Sequence, residues 1–388
     1  MACAPRMWPV SEPITLIDHP PEGFRFPIGP DEPGADFMPV EYRAVDPATR
    51  GRTAAVKPRC VFIEVTNHCN LLCETCPRTF TTYETPMTLS WENFLRVIAQ
   101  FPDMTRAVLH GIGEPLLNRD LPRIIRHLKE RGVSVLFNTN ATLLTEEWAR
   151  ELIAAGLDEL RVSIDGASPV TYAQIRGAPL FHKVVKNLKR FCEIQRELGA
   201  TLPRPSLFMT GMKENIAEVP EVVRLAAWMG VPEVYVQRMV YYVDLKDESS
   251  APGMMTSGHA LFDDYDALEA RTLAEAEALG RELGVVLKSS GGLTPSKSLE
   301  QSQHRDGKPW SACMRPWTTA YVTANGNCLP CCISPFATND YDSLILGNLF
   351  ERPFDELWND VRYQAWREAL LSDAPPKPCA GCGVHWSL

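Results

Sequence analysis

Three cysteines stand at spacings of four and three in Cys69-Asn70-Leu71-Leu72-Cys73-Glu74-Thr75-Cys76, directly after the apolar run Val61–Thr66. Thiols this close on one short loop can converge on a single inorganic centre. They are one too few for a tetrahedral structural zinc, which wants four protein ligands. A cubane iron–sulfur cluster held by three would leave one iron open to another molecule. A zinc site with a distant fourth ligand, or three unrelated buried thiols, is the plainer alternative. Two further knots follow, Cys313, Cys328, Cys331 and Cys332, then Cys379 and Cys382. Nine of the twelve cysteines therefore fall in three groups, with Cys3, Cys60 and Cys192 as bystanders. In a reducing compartment, clustered thiols indicate metal rather than disulfides.

Such a loop needs a platform. From about Lys57, short apolar runs alternate with longer segments of helical period. Strands are expected at Val61–Thr66, Arg106–His110, Ser134–Asn138, Glu159–Ile164, Ser206–Thr210 and Glu233–Gln237. Helices are expected at Trp91–Phe101, Leu121–Arg131, Glu146–Ala155, Phe181–Leu198, Val219–Trp228 and Asp266–Leu283. Strand–helix alternation means crossovers and a parallel sheet. The expectation is an α/β fold, an open, partial (β/α)6 TIM-like barrel with its chemistry at the carboxyl ends of the strands. The three-cysteine loop follows the first strand, as that arrangement requires. A doubly wound sheet is the competing architecture, and periodicity does not separate the two.

Residues 1–56 are punctuated by proline and poor in periodicity, which predicts an extended arm laid over the main domain or a partly ordered leader, rather than a peptide-recognition domain. The core is expected over 57–290, a linker over 291–312, and a second cysteine-bearing unit over 313–388. Apolar residues at 45% and charged residues at 22% allow a large core and argue against disorder. A net charge of −9 argues against a nucleic-acid or anionic-membrane partner held by charge alone, and leaves room for local basic patches. No run approaches the roughly eighteen apolar residues that span a bilayer, and the N-terminus lacks the apolar core of a secretory signal. A cytoplasmic protein is the simplest reading.

Polar groups recur at the expected strand ends. His110-Gly111-Ile112-Gly113-Glu114-Pro115 follows the second strand, where Gly111 and Gly113 let backbone approach a ligand and Glu114 offers an acceptor to an ammonium group. Asn138-Thr139-Asn140 ends the third strand, and Ser163 and Asp165 alternate on the fourth and so share a face. Arg176 stands shortly after, and Met209-Thr210-Gly211-Met212 follows the fifth, where methionines more often pack than bind. Taken singly, each is a cap, a turn or a surface charge; as a series on successive strands they describe a ligand site. Asp244–Ala260 is a long loop at the same end, a lid or substrate contact or simply a surface loop. In the second unit, Thr318–Thr323 alternates as a strand, Asn325-Gly326 marks a hairpin, Cys328–Cys332 returns, and a helix is expected over Phe354–Leu371. This is a small α+β unit of hairpin plus helix. Its thiols could close a zinc ribbon or hold an iron–sulfur cluster, and spacing alone does not choose.

Cys69-x3-Cys73-x2-Cys76 after a strand resembles the signature of the radical S-adenosylmethionine (SAM) enzymes. The resemblance implies a [4Fe–4S] cluster on these three residues whose free iron chelates the amino and carboxylate groups of SAM. It implies reductive cleavage of SAM to a 5'-deoxyadenosyl radical, which abstracts hydrogen from a substrate C–H bond. The stretch His110–Pro115 is similar to the family's Gly-Gly-Glu-Pro motif, with Ile112 in place of its second glycine; Thr75 stands where an aromatic or bulky residue is frequent. By the same resemblance, Gly111, Gly113, Glu114, Asn138, Ser163, Asp165 and Arg176 contact SAM, with Arg176 on its carboxylate. Cys313-x12-Gly326-x4-Cys331 with the later Cys379-x2-Cys382 resembles the SPASM/twitch extension. Those four cysteines would ligate one auxiliary [4Fe–4S] cluster, with Cys328 and Cys332 as spare thiols that could displace Cys331. The chain stops six residues past Cys382, so a single-cluster, shortened form is expected, acting as an electron conduit. The implied activity is an oxidoreductase acting on a small metabolite, supplied by a low-potential donor such as a flavodoxin or ferredoxin. Maturation of a ribosomal peptide is the alternative, as is a redox-neutral epimerase in which Tyr172 or Cys192 returns hydrogen.

Overall fold

The computed structural model describes residues 45–81, 84–239, 256–259, 267–289, 309–338, 340–380 and 382. Most of the expected arm (1–44), most of the Asp244–Ala260 loop and most of the linker lie outside the described residues. The strands are β1 (Cys60–Ile63), β2 (Arg106–Val108), β3 (Ser134–Thr139), β4 (Glu159–Ser163), β5 (Arg204–Gly211), β6 (Glu233–Arg238), β7 (Val286–Ser289), β8 (Thr319–Val322), β9 (Asn327–Leu329) and β10 (Gly347–Asn348). All ten form one sheet in the order β10-β9-β8-β1-β2-β3-β4-β5-β6-β7. β1 to β7 pair in parallel, each with the next, and the helices α1 (Trp91–Ala99), α2 (Leu121–Glu130), α3 (Glu146–Ala155), α4 (Pro169–Arg176), α5 (Phe181–Glu197), α6 (Val219–Met229) and α7 (Ala267–Leu283) form the crossovers. This is the partial TIM-like barrel expected, extended by β7.

Alternation along each strand sorts the two faces. Val61 and Ile63, Val135 and Phe137, Leu160 and Val162, and Leu207 and Met209 join the large core beneath the helices. Phe62, Val108 and Leu136 face the other way into a smaller cluster with Tyr321, Leu329 and Tyr341. Met209 therefore packs under the helices. The inner face also carries charge near the strand starts. Arg106 and Arg161 both pair with Glu159, while Arg204 and Lys288 pair with Glu233. Burial alone would raise the Glu159 carboxyl, yet Arg161 and Arg106 hold it down at about 2.

The second cysteine unit departs from a free-standing hairpin. β8 pairs in parallel with β1, Cys60 opposite Thr319 and Ile63 opposite Val322, so the hairpin continues the barrel sheet. Gly326 takes φ +83 in the hairpin turn, where a side chain would strike the Phe350 ring. The helix expected over Phe354–Leu371 is two, Phe354–Leu357 and Val361–Leu370, because the Asp360 carboxylate accepts the Arg362 and Tyr363 amides and starts a new helix. Residues 50–56 lie across this unit: Trp317 Nε1 donates to Gly51 O at 2.7 Å and Trp358 Nε1 to Val56 O at 2.9 Å.

Arg367 organises that junction. It is fully buried, donates from Nε to Pro316 O at 2.9 Å and from Nη1 to Asn359 Oδ1 at 2.9 Å, and lies 4.3 Å from the Trp358 ring centre. Burial lowers its pKa to about 10. Arg367→Ala strands the buried Pro316 carbonyl, removes one of two donors to Asn359 Oδ1 and opens a void, so we expect a loss of about 2–4 kcal/mol in denaturant unfolding. An unchanged midpoint would contradict this account of the junction.

Candidate active site

The three-cysteine loop leaves β1 and is held from beneath by a residue that motif reading passed over. Arg78 donates from Nε to Asn67 O, from Nη1 to Leu71 O at 3.2 Å and from Nη2 to Cys69 O at 3.0 Å. Thr79 Oγ1 donates to Cys73 O at 2.7 Å, and Glu74 N to Ile175 O at 2.9 Å. The signal was a cation just past the last cysteine, indistinguishable in sequence from a surface arginine. Burial raises all three thiols, Cys76 to about 12, and Cys76 also feels Cys73 and Cys69. The buried thiols therefore hold their protons until a metal displaces them.

Two hydrogen-bonded arms join the loop to the other strand ends. Asn140 Nδ2 donates to Asn70 Oδ1 at 2.9 Å and reaches Cys69 Sγ at 3.9 Å. The Asn140 amide in turn donates to Glu114 Oε2 at 2.7 Å, while Thr139 Oγ1 and Leu116 N donate to Oε1. Three donors on a carboxylate leave room for another. Burial raises the Glu114 pKa against these bonds. In the second arm, Arg176 Nη1 reaches Cys73 Sγ at 3.8 Å, and its Nε lies 2.8 Å from Asp165 Oδ2 without hydrogen-bond alignment. Asp165 Oδ1 accepts the Thr210 amide at 2.7 Å. Burial works against the Arg176 cation, but Asp165 and Cys73 outweigh it and raise its pKa. Glu114, Asp165 and Arg176 are thus brought to the cysteine loop, and Ser163 shares the inner face of β4.

Between the arms, Asn138 Oδ1 is buried without a hydrogen-bond partner among the described residues, an acceptor suited to a hydroxyl of an incoming ligand. The Asn138 amide donates to His110 Nδ1 at 3.2 Å, which fixes the ring proton on Nε2. Burial, then Arg161, lowers His110 to about 3, so the ring is a neutral donor on the inner face. The glycines also serve the packing of the loop. A Cβ at Gly113 would stand 2.0 Å from Thr66 O, and one at Gly111 would stand 2.0 Å from Glu64 Oε2. Both glycines let the β2 loop lie against β1 and its exit. Tyr172 and Cys192 pack in the core beneath the helices, although Arg176 and Cys73 influence the Tyr172 hydroxyl.

In the C-terminal unit, Cys379 feels Cys331, Cys313 and Cys382, after the dominant effect of burial, which raises its pKa. Cys331, raised by burial, feels Arg315 and Cys313. These four thiols form one group. Cys328 is turned away toward Tyr363 and is pushed up to about 12 by burial, while the other influences on Cys332 are Arg315, Cys331 and Cys60. Among the described residues no three His, Cys, Asp or Glu side chains converge tightly enough for a single metal ion. A tetrahedral zinc, with bonds near 2.3 Å, would draw its thiolates to about 3.8 Å of each other.

Residues 63–226 match the profile of the radical SAM superfamily, and residues 313–383 that of the SPASM iron–sulfur cluster-binding domain. The chain belongs to the radical SAM superfamily. Its cofactors are [4Fe–4S] clusters and SAM, and the donor set fits them: two thiol-only groups, a carboxylate with room for a donor, and an orphaned amide oxygen. The chain is 27% identical over 349 residues to the AdoMet-dependent heme synthase of Methanosarcina barkeri, covering 84% of this chain and 91% of that one. It is 26% identical over 337 residues to the PqqA peptide cyclase of Xanthomonas campestris pv. campestris, covering 84% and 79%. A cofactor-modifying protein of the tungsten-containing aldehyde ferredoxin oxidoreductase of Pyrococcus furiosus is 27% identical over 183 residues, 46% of this chain and 51% of that one, so this match spans about half of that relative. The SAM-bound structure of Streptococcus suis SuiB shares the fold at TM-score 0.60 and 16% identity, over 85% of this chain and 72% of that one. Among the described residues of this radical SAM protein, no helix is long and apolar enough to cross a membrane.

One buried group in this radical SAM core sets a pH dependence. Glu64 faces Glu84, Tyr321 and the Ile112 and Ala324 amides, and burial raises its carboxyl from an ordinary 4.5 to about 7. The folded chain keeps this proton where the unfolded chain has lost it. Its contribution is therefore full below pH 4.5 and fades as pH rises through 7. We expect the slope of stability against pH in that window to flatten in Glu64→Gln, by about 3 kcal/mol across it. Parallel curves for the two proteins would refute the assignment.

Proposed function

We propose that this protein abstracts hydrogen from an unactivated C–H bond of its substrate and passes the remaining electron to an auxiliary cluster, a net oxidation. The carrying observation is that β8 pairs directly with β1, so one short strand pair joins the two thiol groups: the three-cysteine loop follows the end of β1, while Cys313 precedes β8 and Cys331 follows the antiparallel β9, at the other end of the same pair. In this reading Cys69, Cys73 and Cys76 hold the SAM cluster, and Cys313, Cys331, Cys379 and Cys382 hold the auxiliary one. The cluster held by Cys69, Cys73 and Cys76 would supply the electron for reductive cleavage of SAM, the source of the hydrogen-abstracting radical. Glu114 receives the SAM ammonium, Asn138 a ribose hydroxyl, and Ser163 and Asp165 shape the methionine end. Arg176 holds Cys73 on one side and presents positive charge to the SAM carboxylate. His110 Nε2–H offers the substrate a hydrogen-bond donor between Phe62 and the strand ends. A low-potential flavodoxin or ferredoxin fits as the electron donor.

A small metabolite is the first substrate class; the inner face carries the rings of Phe62, Tyr235 and Phe208, the last two stacked at 4.5 Å. Peptide modification is the second reading, favoured by the match to PqqA peptide cyclases over 84% of the chain. Anaerobic assays with SAM and reductant separate them, by fractionating extract into small molecules and peptides and following 5'-deoxyadenosine. Stimulation by the small-molecule fraction, with one SAM consumed per oxidised product, supports the first reading. Stimulation by the peptide fraction, or a product at the substrate's oxidation level, overturns it.

A further inference from the structure

Glu64 is a buried acid that the reaction above does not use. It continues the inner face of β1 past Phe62 and is 2% exposed. Its Oε2 accepts the Ile112 amide at 2.8 Å, in the loop after β2, and the Tyr321 hydroxyl at 3.3 Å, on β8. Its Oε1 faces the Ala324 amide, in the hairpin turn, at 3.4 Å. One carboxyl group thus touches the loop that carries Glu114 and the hairpin that leads to Cys331. The space it fills is reserved, because any side chain at Gly111 would place a carbon 2.0 Å from Oε2.

A second acid clamps the same hairpin from the far side of the cysteine loop. Glu84 accepts from Thr323 Oγ1 at 3.0 Å, Asn325 Nδ2 at 2.7 Å, Asn327 Nδ2 at 2.7 Å and Tyr341 Oη at 2.6 Å. Those bonds hold the hairpin to the core but do not reach the β2 loop. Among the described residues, Glu64 is the side chain that bonds to both the β2 loop and the hairpin.

We propose that Glu64 is a positioning residue that locks the β2 loop to the auxiliary hairpin, so that the SAM pocket and the four-thiol site keep one fixed relation. A hairpin displaced from Glu64 releases Ile112, and with it Glu114, two residues on, from its bonds to Thr139 and Asn140. This rests on the reading that residues 110–114 face SAM. The lock itself is a property of the chain and is tested without SAM.

The test is hydrogen–deuterium exchange on the full-length protein, before and after anaerobic cluster reconstitution, paired with SAM binding. Glu64→Ala should speed exchange about tenfold in both the 110–114 and the 321–325 peptides. Gly111→Ala should reproduce this with Glu64 intact, since it evicts the carboxyl group. Glu64→Gln keeps an acceptor for Ile112 and should restore protection there. Glu84→Gln should loosen the hairpin peptide alone. In reconstituted protein the Glu64→Ala and Gly111→Ala variants should bind SAM about tenfold more weakly, and Glu84→Gln within about twofold of wild type. Exchange that rises in only one of the two peptides, or an unchanged pattern in Gly111→Ala, overturns the proposal. Wild-type protein that binds no SAM would instead overturn the functional reading, while the exchange pattern still decides the lock.

Discussion

Alanine at Cys69, Cys73 or Cys76 is expected to lower 5'-deoxyadenosine formation at least about a thousandfold, because a cubane with only two protein ligands is not retained. The same variants should lose about half of the bound iron and sulfide. On the proposed assignment the other half stays with Cys313, Cys331, Cys379 and Cys382, whose thiols influence one another. The fold should survive, since the loop is fastened by Arg78, Thr79 and Glu74 through backbone atoms rather than through sulfur. Melting of the metal-free variants should therefore follow that of metal-free wild type. Iron and sulfide analysis with mass spectrometry of the nucleoside products checks all three statements. A Cys76→Ala protein with full iron content and undiminished cleavage would remove the loop from the chemistry altogether.

How much of this was legible beforehand depends on range. Period-two alternation placed the six barrel strands, and helical period placed their crossovers, because each signal is local and repeated. The three-cysteine loop was legible for the same reason: its ligands are neighbours in the chain. β7, at Val286–Ser289, was missed because it is short and half-buried, and α4, at Pro169–Arg176, because its apolar face is brief. The pairing of β8 with β1 joins residues more than 250 positions apart, and no local pattern announces it. Gly111 and Gly113 were read as letting backbone approach a ligand; they also make room for Glu64 and the Thr66 carbonyl, which the sequence did not announce. Sequence shows that a side chain is missing but not what stands in its place. Glu64 itself was visible in the alternation with Phe62 as an acid on the inner face, a placement at odds with an apolar strand. That conflict between local pattern and burial is the kind that marks a working residue.

The cysteine loop leans on a third glycine, and here the expected effect is large. Gly177 ends α4 at φ +69, with its amide donating to Ala173 O at 3.0 Å. An added Cβ would stand 2.2 Å from Leu72 O and 3.1 Å from Leu72 C. Gly177→Ala therefore meets two costs: about 1 kcal/mol for an L-residue in the left-handed region, and about 1–3 kcal/mol or more for a clash with backbone. Backbone cannot rotate away as a side chain can, so either the end of α4 or the loop at Leu72 must move. Both movements separate Arg176 from Cys73, which it now reaches at 3.8 Å, and strain the Glu74–Ile175 bond beside it. The variant should be less stable by about 2–4 kcal/mol and should load the first cluster poorly while keeping the auxiliary one. Gly156→Ala isolates the first cost. That glycine ends α3 at φ +79, and its nearest neighbour would be Lys129 Cγ at 3.5 Å, the middle of a flexible side chain. It should cost about 1 kcal/mol with iron content and SAM cleavage intact. If Gly177→Ala behaves like Gly156→Ala in both stability and iron, the α4 terminus does not shape the cysteine loop, and Arg176 must be held in place by Asp165 alone.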